Sequence, residues 1–211
     1  MSPSPRPRSS PRRDATREAI LAAAAHCFGR DGFRRTALDR VAREAGISRA
    51  ALYLHFANKE ELFRALVTAL HAEALAETAQ AARGPGDLAE RLTAALAAKT
   101  GRFFDLLRSS DHAEEFLDEN HRLCGDLSTA AAAKHTRLLA RMLAAAAAAG
   151  EISGLSPAHA AELLLDTAEG IKIRGRATLS SREYRRRLAR AVRIVIAGLA
   201  PRRPVRVAAP S

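Results

Sequence analysis

Apolar residues recur along most of this chain at the three- and four-residue spacing that turns one helix face inward. Ile20, Ala24, Cys27 and Phe28 make the first such stripe, and Gly32 follows as a stop. A second helix is predicted to start at Thr36, a third at Ser48 and a fourth at Asn58. Each start carries a side chain able to cap free backbone N–H groups. Asp39 and Glu61 stand three residues after Thr36 and Asn58, in capping-box spacing. Gly84-Pro85-Gly86 breaks the chain before a fifth helix, about Asp87 to Arg108. A short helix over His112 to His121 and a long one over Arg122 to Ala149 follow. Gly150 to Ser156 reads as a loop, and Pro157 then opens a helix reaching about Arg174. Ser180 and Glu183 open the last helix, which ends near Leu199 before Pro201. No segment alternates as a strand does. The expected fold is all-α, with about nine helices.

Charge divides the chain further. Residues 1–59 carry a net +7, residues 60–181 a net −4 and residues 182–211 a net +8. Residues 1–13 are Pro, Ser and Arg with nothing apolar to bury, and are expected to form a disordered basic arm. Residues 201–211 are expected to form a flexible basic tail. A basic N-terminal module on a mildly acidic body suits a polyanionic partner for that module. Cys27 and Cys124 lie far apart and outside any CxxC pair, so free thiols in a reducing, cytoplasmic setting are expected. The N-terminus lacks the apolar segment of a signal peptide, and no apolar run is long enough for a membrane span.

Thr36 to Phe56 has the marks of a helix-turn-helix. Leu38, Val41 and Ala42 give an inward stripe, and Gly46 suits a sharp turn that needs the left-handed backbone region. Ser48 caps the next helix, which Leu52 and Phe56 anchor. Arg49, Ala50, Tyr53 and His55 then face outward, and small residues at the first turn can enter a major groove. Lys59 sits beside the positive end of the fourth helix, where a phosphate is welcome. An ordinary helical hairpin shares the caps and the turn.

The stretch from Arg17 to about Val67 also resembles the TetR family of bacterial regulators. The resemblance rests on ILAAAAHCFGRDGFRRTALDRVAREAG followed by ISRAALYLHFANKEELFRALV, above all on the Leu-Tyr-x-His-Phe-x-x-Lys-Glu-x-Leu pattern at Leu52–Leu62. It implies phosphate contacts at Thr36, Ser48, Tyr53, His55 and Lys59, and a base-facing surface at Arg49, Ala50 and Ala51. Ala51 stands where Thr is frequent in that family, and Ala50 where Gly or Pro is common. The domain division expected on this basis is a three-helix DNA-binding domain over 14–60 and a helical ligand-binding and dimerisation domain over 61–200.

The implied body holds a small organic effector and pairs its last two helices with a second copy's. Pocket candidates are Phe103, Phe104, Leu107, Phe116, His121 and Cys124; plain core is the competing reading for each. Few aromatics occur, which disfavours a cage for a planar cation, and Arg102, Arg108, Arg122 and His121 suit an anionic head group better. Dimer-interface candidates are Leu163, Thr167, Gly170, Ile171 and Arg174, then Leu188, Val192, Val195 and Ile196. His112, Glu115, Asp118, His121 and Cys124 have spacings that can chelate a metal, but solvated helix faces look the same, and no metal or other cofactor is expected.

Nothing in the chain suggests an enzyme: there is no Gly-rich phosphate loop and no GxSxG. The expected function is a ligand-responsive repressor that binds a palindromic operator in double-stranded DNA as a homodimer. The alternative is a sequence-tolerant architectural DNA binder without an effector.

Overall fold

The computed structural model describes residues 11–108, 110–175 and 178–201, without the side chains of 101–108. Among them the secondary structure is helical throughout: α1 (Pro11–Asp31), α2 (Leu38–Glu44), α3 (Arg49–Tyr53), α4 (Lys59–Ala82), α5 (Leu88–Arg108), α6 (Ala113–Ala148), α7 (Pro157–Gly175) and α8 (Ser181–Gly198). The protein is all-α. The eight helices account for the nine expected because α6 contains a break. Cys124 has φ −133° and ψ 17°, so two helical limbs meet there rather than between His121 and Arg122. α1 begins at Pro11, inside the segment expected as an arm, with proline where its missing N–H costs nothing. Residues 1–10 and 202–211 lie outside the described residues.

The chain divides into two compact units, one holding the described residues through Leu70 with Leu106–Leu127, the other His71–Asp105 with the residues from Ser128 on. The first unit is built on α1, whose expected stripe of Ile20, Ala24, Cys27 and Phe28 is buried. Phe28, Phe33, Phe63 and Phe116 pack as neighbouring rings, with centroids 5.0 to 5.6 Å apart. Edge-to-face and tilted packing of this kind adds to plain burial. The first limb of α6 is fastened to this unit by carboxylates. Glu115 accepts the Arg34 backbone N–H at 2.6 Å, and the nearly buried Glu119 carboxylate bonds Arg34 at 3.3 Å and Arg122 at 2.8 Å. Those two guanidiniums hold the Glu119 carboxyl below its ordinary range against the opposing effect of burial.

In the second unit, Leu88, Leu92 and Leu96 of α5 meet Leu139 and Leu143 of α6, Leu164 of α7, and Leu188 and Val192 of α8. The connections are local. Asp87 accepts the Glu90 N–H at 2.8 Å while Glu90 accepts the Asp87 N–H at 3.1 Å, a reciprocal cap. Ser180 caps α8 through the Glu183 N–H at 3.1 Å, as its sequence spacing predicts. Tyr184, 1% exposed, bonds the Thr100 hydroxyl.

Candidate functional site

The turn between α2 and α3 positions the outward surface. Gly46 has φ 68° and meets nothing within 4 Å of where a Cβ would stand. The backbone angle, not lack of room, is what requires glycine there. The Ile47 N–H returns to the Ala42 carbonyl at 3.0 Å, and Ser48 caps α3 by accepting the Ala51 N–H at 3.1 Å. Val41, Ala42, Leu52 and Phe56 are buried, which fixes the two helices as a pair.

What remains outward is Arg49, Ala50, Tyr53 and Leu54, with Ala51 and His55 half-buried. Arg49 ion-pairs with Asp39 at 3.0 Å, and its guanidinium lies 5.6 Å from the centre of the Tyr53 ring. Tyr53 and Asp39 hold the Arg49 cation firmly protonated. Leu54 is 77% exposed at the end of α3, an apolar side chain with no core to serve.

Two expected contacts fall elsewhere. Thr36 is 2% exposed, and its hydroxyl donates to the Gly32 carbonyl at 2.6 Å, with the Cys27 carbonyl at 3.3 Å. It does not cap α2, whose N-cap is Ala37 with no side-chain bond. Thr36 ties the α1–α2 loop shut instead, and Asp39 is left for Arg49. Lys59 is half-buried. Its ammonium donates to the Arg34 carbonyl at 2.9 Å and lies 4.7 Å from the Phe33 ring centre. Burial lowers its pKa, with Glu115, Glu119 and Glu60 opposing. The α4 start itself is capped as its sequence predicts: Asn58 accepts the Glu61 N–H at 2.7 Å and Glu61 accepts the Ala57 N–H at 2.8 Å.

Sequence reasoning missed a concave patch on this unit. Arg12, Arg13 and Thr16 of α1 line an open hollow of about 460 Å³ with Leu54 and His55. Arg17, one turn on from Arg13, stacks 5.5 Å from the Phe56 ring centre. The signal lay in the segment read as an arm, whose last arginines are helical.

The expected pocket residues are only partly described. The Phe103, Phe104 and Leu107 side chains lie outside the described residues, as do those of Arg102 and Arg108. The other three candidates belong, like Leu107, to the first unit. Phe116 packs in its aromatic core, Cys124 is buried with its thiol pushed up to about 11 by desolvation, and His121 is exposed. Among the described residues no three His, Cys, Asp or Glu side chains converge to hold a metal ion.

The described second unit instead gathers polar groups from four helices. Glu169 of α7 bridges Lys99 of α5 at 2.8 Å and Lys172 of α7 at 2.5 Å. His71 of α4 bonds Ser128 of α6 at 3.4 Å. His135 of α6 is 2% exposed, and its Nδ1 has no hydrogen-bond partner. Burial first, then the charge of Lys99 and the neighbouring His71, brings the His135 pKa down to about 4. Burial and the two lysines lower that of His71 as well. A separate open cleft of about 480 Å³ lies among Arg83, Arg91, Arg141, Leu138, Met142 and Glu151.

The dimer candidates divide. Leu188 and Val192 are fully buried inside the second unit and serve its own core, as does the half-buried Ile171 in part. Val195 and Ile196 also pack partly against that core. Leu163 is 46% exposed, Arg174 is exposed, and Thr167 and Gly170 are half-exposed on the same face of α7. Ile173 and Ile194, 69% and 67% exposed, are apolar surface that the candidate set omitted.

A short helix capped by Ser48 and set against α2 through the Gly46 turn has the geometry of a helix-turn-helix. Residues 20–66 match the family described as bacterial regulatory proteins, tetR family. The chain is 32% identical over 108 residues to the HTH-type transcriptional activator FasR of Mycolicibacterium smegmatis, 51% of this chain and 48% of that protein. It is 46% identical over 56 residues to the HTH-type transcriptional regulator TtgR of Pseudomonas putida, 26% of this chain and 27% of that one. The matched stretches thus span about half of the first relative and about a quarter of the second. The solved structure of SmeT, repressor of the Stenotrophomonas maltophilia multidrug efflux pump SmeDEF, superposes with a TM-score of 0.66 at 25% identity, covering 94% of this chain and 98% of that one. SmeT has also been solved as a complex with triclosan. Residues 20–66 thus resemble the tetR family of bacterial regulatory proteins, and over most of its length the chain is similar to the solved structure of SmeT.

Proposed function

We propose that this protein is a ligand-responsive repressor that binds a palindromic operator as a dimer and is released by a small organic effector. The observation that carries the reading is α3. Ser48 closes its first turn, Leu52 roots it in the core, and Arg49 and Tyr53 are left outward, 65% exposed for the Arg49 side chain and 43% for Tyr53. Such a helix enters a major groove end-on, with Arg49 placed for guanine O6 and N7. The hollow of Arg12, Arg13 and His55 receives a neighbouring backbone phosphate. The Ser48 and Lys59 backbone ends supply further phosphate contacts.

Dimerisation is supported by exposed apolar residues beside complementary charge. On α7 Glu162 and Asp166 flank Leu163, and on α8 Arg187 and Arg190 lie two turns and one turn before Ile194; all six are exposed. Two copies related by a two-fold set the acidic face of one α7 against the basic face of the other α8. Recognition helices held about 34 Å apart then read two half-sites one DNA turn from each other. The complex of the similar protein SmeT with triclosan supports the binding of a small organic effector. The reading needs no catalytic residue and places the protein in the cytoplasm with its DNA.

Footprinting over the intergenic region beside the protein's own gene tests it. A single protected palindrome, with sedimentation of the protein as a dimer, is expected. Uniform protection without a preferred site would favour the architectural binder instead.

A further inference from the structure

Among the described residues, the polar cluster in the second unit sets two lysines against a single carboxylate. Lys99 and Lys172 are only 15% and 20% exposed, and they share one carboxylate, Glu169. Among the described residues, the two lysine charges of the cluster meet one carboxylate. Burying an ammonium with half a counter-ion is costly. The Nδ1 of His135 adds a second anomaly, since buried polar atoms are nearly always bonded. Four helices bring these groups together, so the arrangement belongs to the fold of this unit and not to one helix face.

Resting on the reading of the body as an effector domain, we propose that Lys99, Lys172 and His135 form the head-group site for an organic anion on an apolar body. A carboxylate or sulfonate fits, and its oxygens take the place that Glu169 occupies between the lysines. A neutral imidazole donates one N–H to such an oxygen. A cationic ligand meets the two ammonium groups and is refused, and among the described residues no three His, Cys, Asp or Glu side chains converge to hold a metal ion. Displaced Glu169 belongs to α7, which also carries Leu163, Thr167 and Gly170, so anion entry acts directly on the helix proposed to meet the second copy.

The test titrates the full-length protein with 1-anilinonaphthalene-8-sulfonate, followed by its fluorescence, and with benzoate as competitor. Lys99→Met and, at the more accessible end, Lys172→Gln are each expected to weaken the dye at least tenfold and to abolish displacement by benzoate. Glu169→Gln, which removes the internal competitor, is expected to tighten binding about threefold. Arg141→Ala in the separate cleft is expected to change nothing. Loss of binding in Arg141→Ala with Lys99→Met and Lys172→Gln intact would place the anion in that cleft and overturn the proposal. So would weaker binding in Glu169→Gln, or equal binding by all four variants. Thermal melts of each variant show that the loss comes from the site and not from unfolding. Operator affinity of the ligand-free protein is read separately by fluorescence anisotropy. Its absence would defeat the repressor reading and leave the anion result standing.

Discussion

Arg64 of α4 holds Asp126 of α6 through two parallel bonds of 2.9 and 2.8 Å, two residues past the break at Cys124. The same guanidinium donates to the Leu123 carbonyl, just before the break. One side chain thus takes up a backbone acceptor beside the interruption in the helix. The pair brings the Asp126 carboxyl down to about 2. A carboxylate with a lowered folded-state pKa stabilises above its unfolded value, and that contribution is lost as pH falls through the folded one. Asp126→Asn is expected to melt lower than wild type at neutral pH, with the difference narrowing between about pH 4 and pH 2. Melting curves across that range check the prediction; a constant gap would remove ionisation as its source.

Arg49 and Asp39 form a pair that operator DNA must compete with. Arg49→Ala is expected to relax base preference at one position per half-site, by about 1–3 kcal/mol. Asp39→Asn is expected to do the opposite to affinity, freeing Arg49 and tightening binding to operator and random DNA alike. Selection from a randomised half-site, combined with anisotropy titrations, reads both effects.

Lys59 carries a different prediction from the one its sequence position suggests. Because its ammonium holds the Arg34 carbonyl beside the Phe33 ring, Lys59→Ala is expected to lower the melting temperature by several degrees. The salt dependence of DNA binding should change little. Arg13→Ala should leave stability alone and flatten the salt slope by about one unit. Log affinity against log salt for the two variants separates the roles.

His135 makes stability sensitive to acid. Its folded-state pKa of about 4 lies below the unfolded value, so the unfolded chain binds the proton first. Stability therefore falls as pH drops from about 6.5 to about 4 and levels off below. His71, also lowered, adds to the same window. The shallower acid slope expected of His135→Leu is measurable by urea unfolding at pH 7, 5.5 and 4.5.

The parts of this structure that were legible in the sequence are those fixed within one helical turn. Ser48, Asn58 with Glu61, and Ser180 with Glu183 act as caps because a cap needs only the next three residues. Thr36 shows the limit of that rule. Asp39 gives it capping-box spacing, yet the loop from Gly32 draws its hydroxyl inward, and the sequence spacing holds no trace of that loop. Leu188 and Val192 show another limit. Periodicity marks the apolar face of α8 but not whether the same chain or a second copy covers it, and here α5 and α7 do. The cluster of His71, Lys99, His135, Glu169 and Lys172 was invisible for a simpler reason. Its members sit on four helices, and no local spacing relates them.

The break at Cys124 gives α6 two fates. An uninterrupted helix of its length opens as one cooperative block, because each backbone bond supports the next. With the ladder cut, the amides before and after the cut answer to different partners. Those of Ala113–Leu123 open with the aromatic cluster of Phe28, Phe33, Phe63 and Phe116, and those from Ser128 onward with the leucine core of Leu92, Leu139 and Leu164. Hydrogen exchange is therefore expected to give the two limbs of α6 different protection, each following the core it packs in.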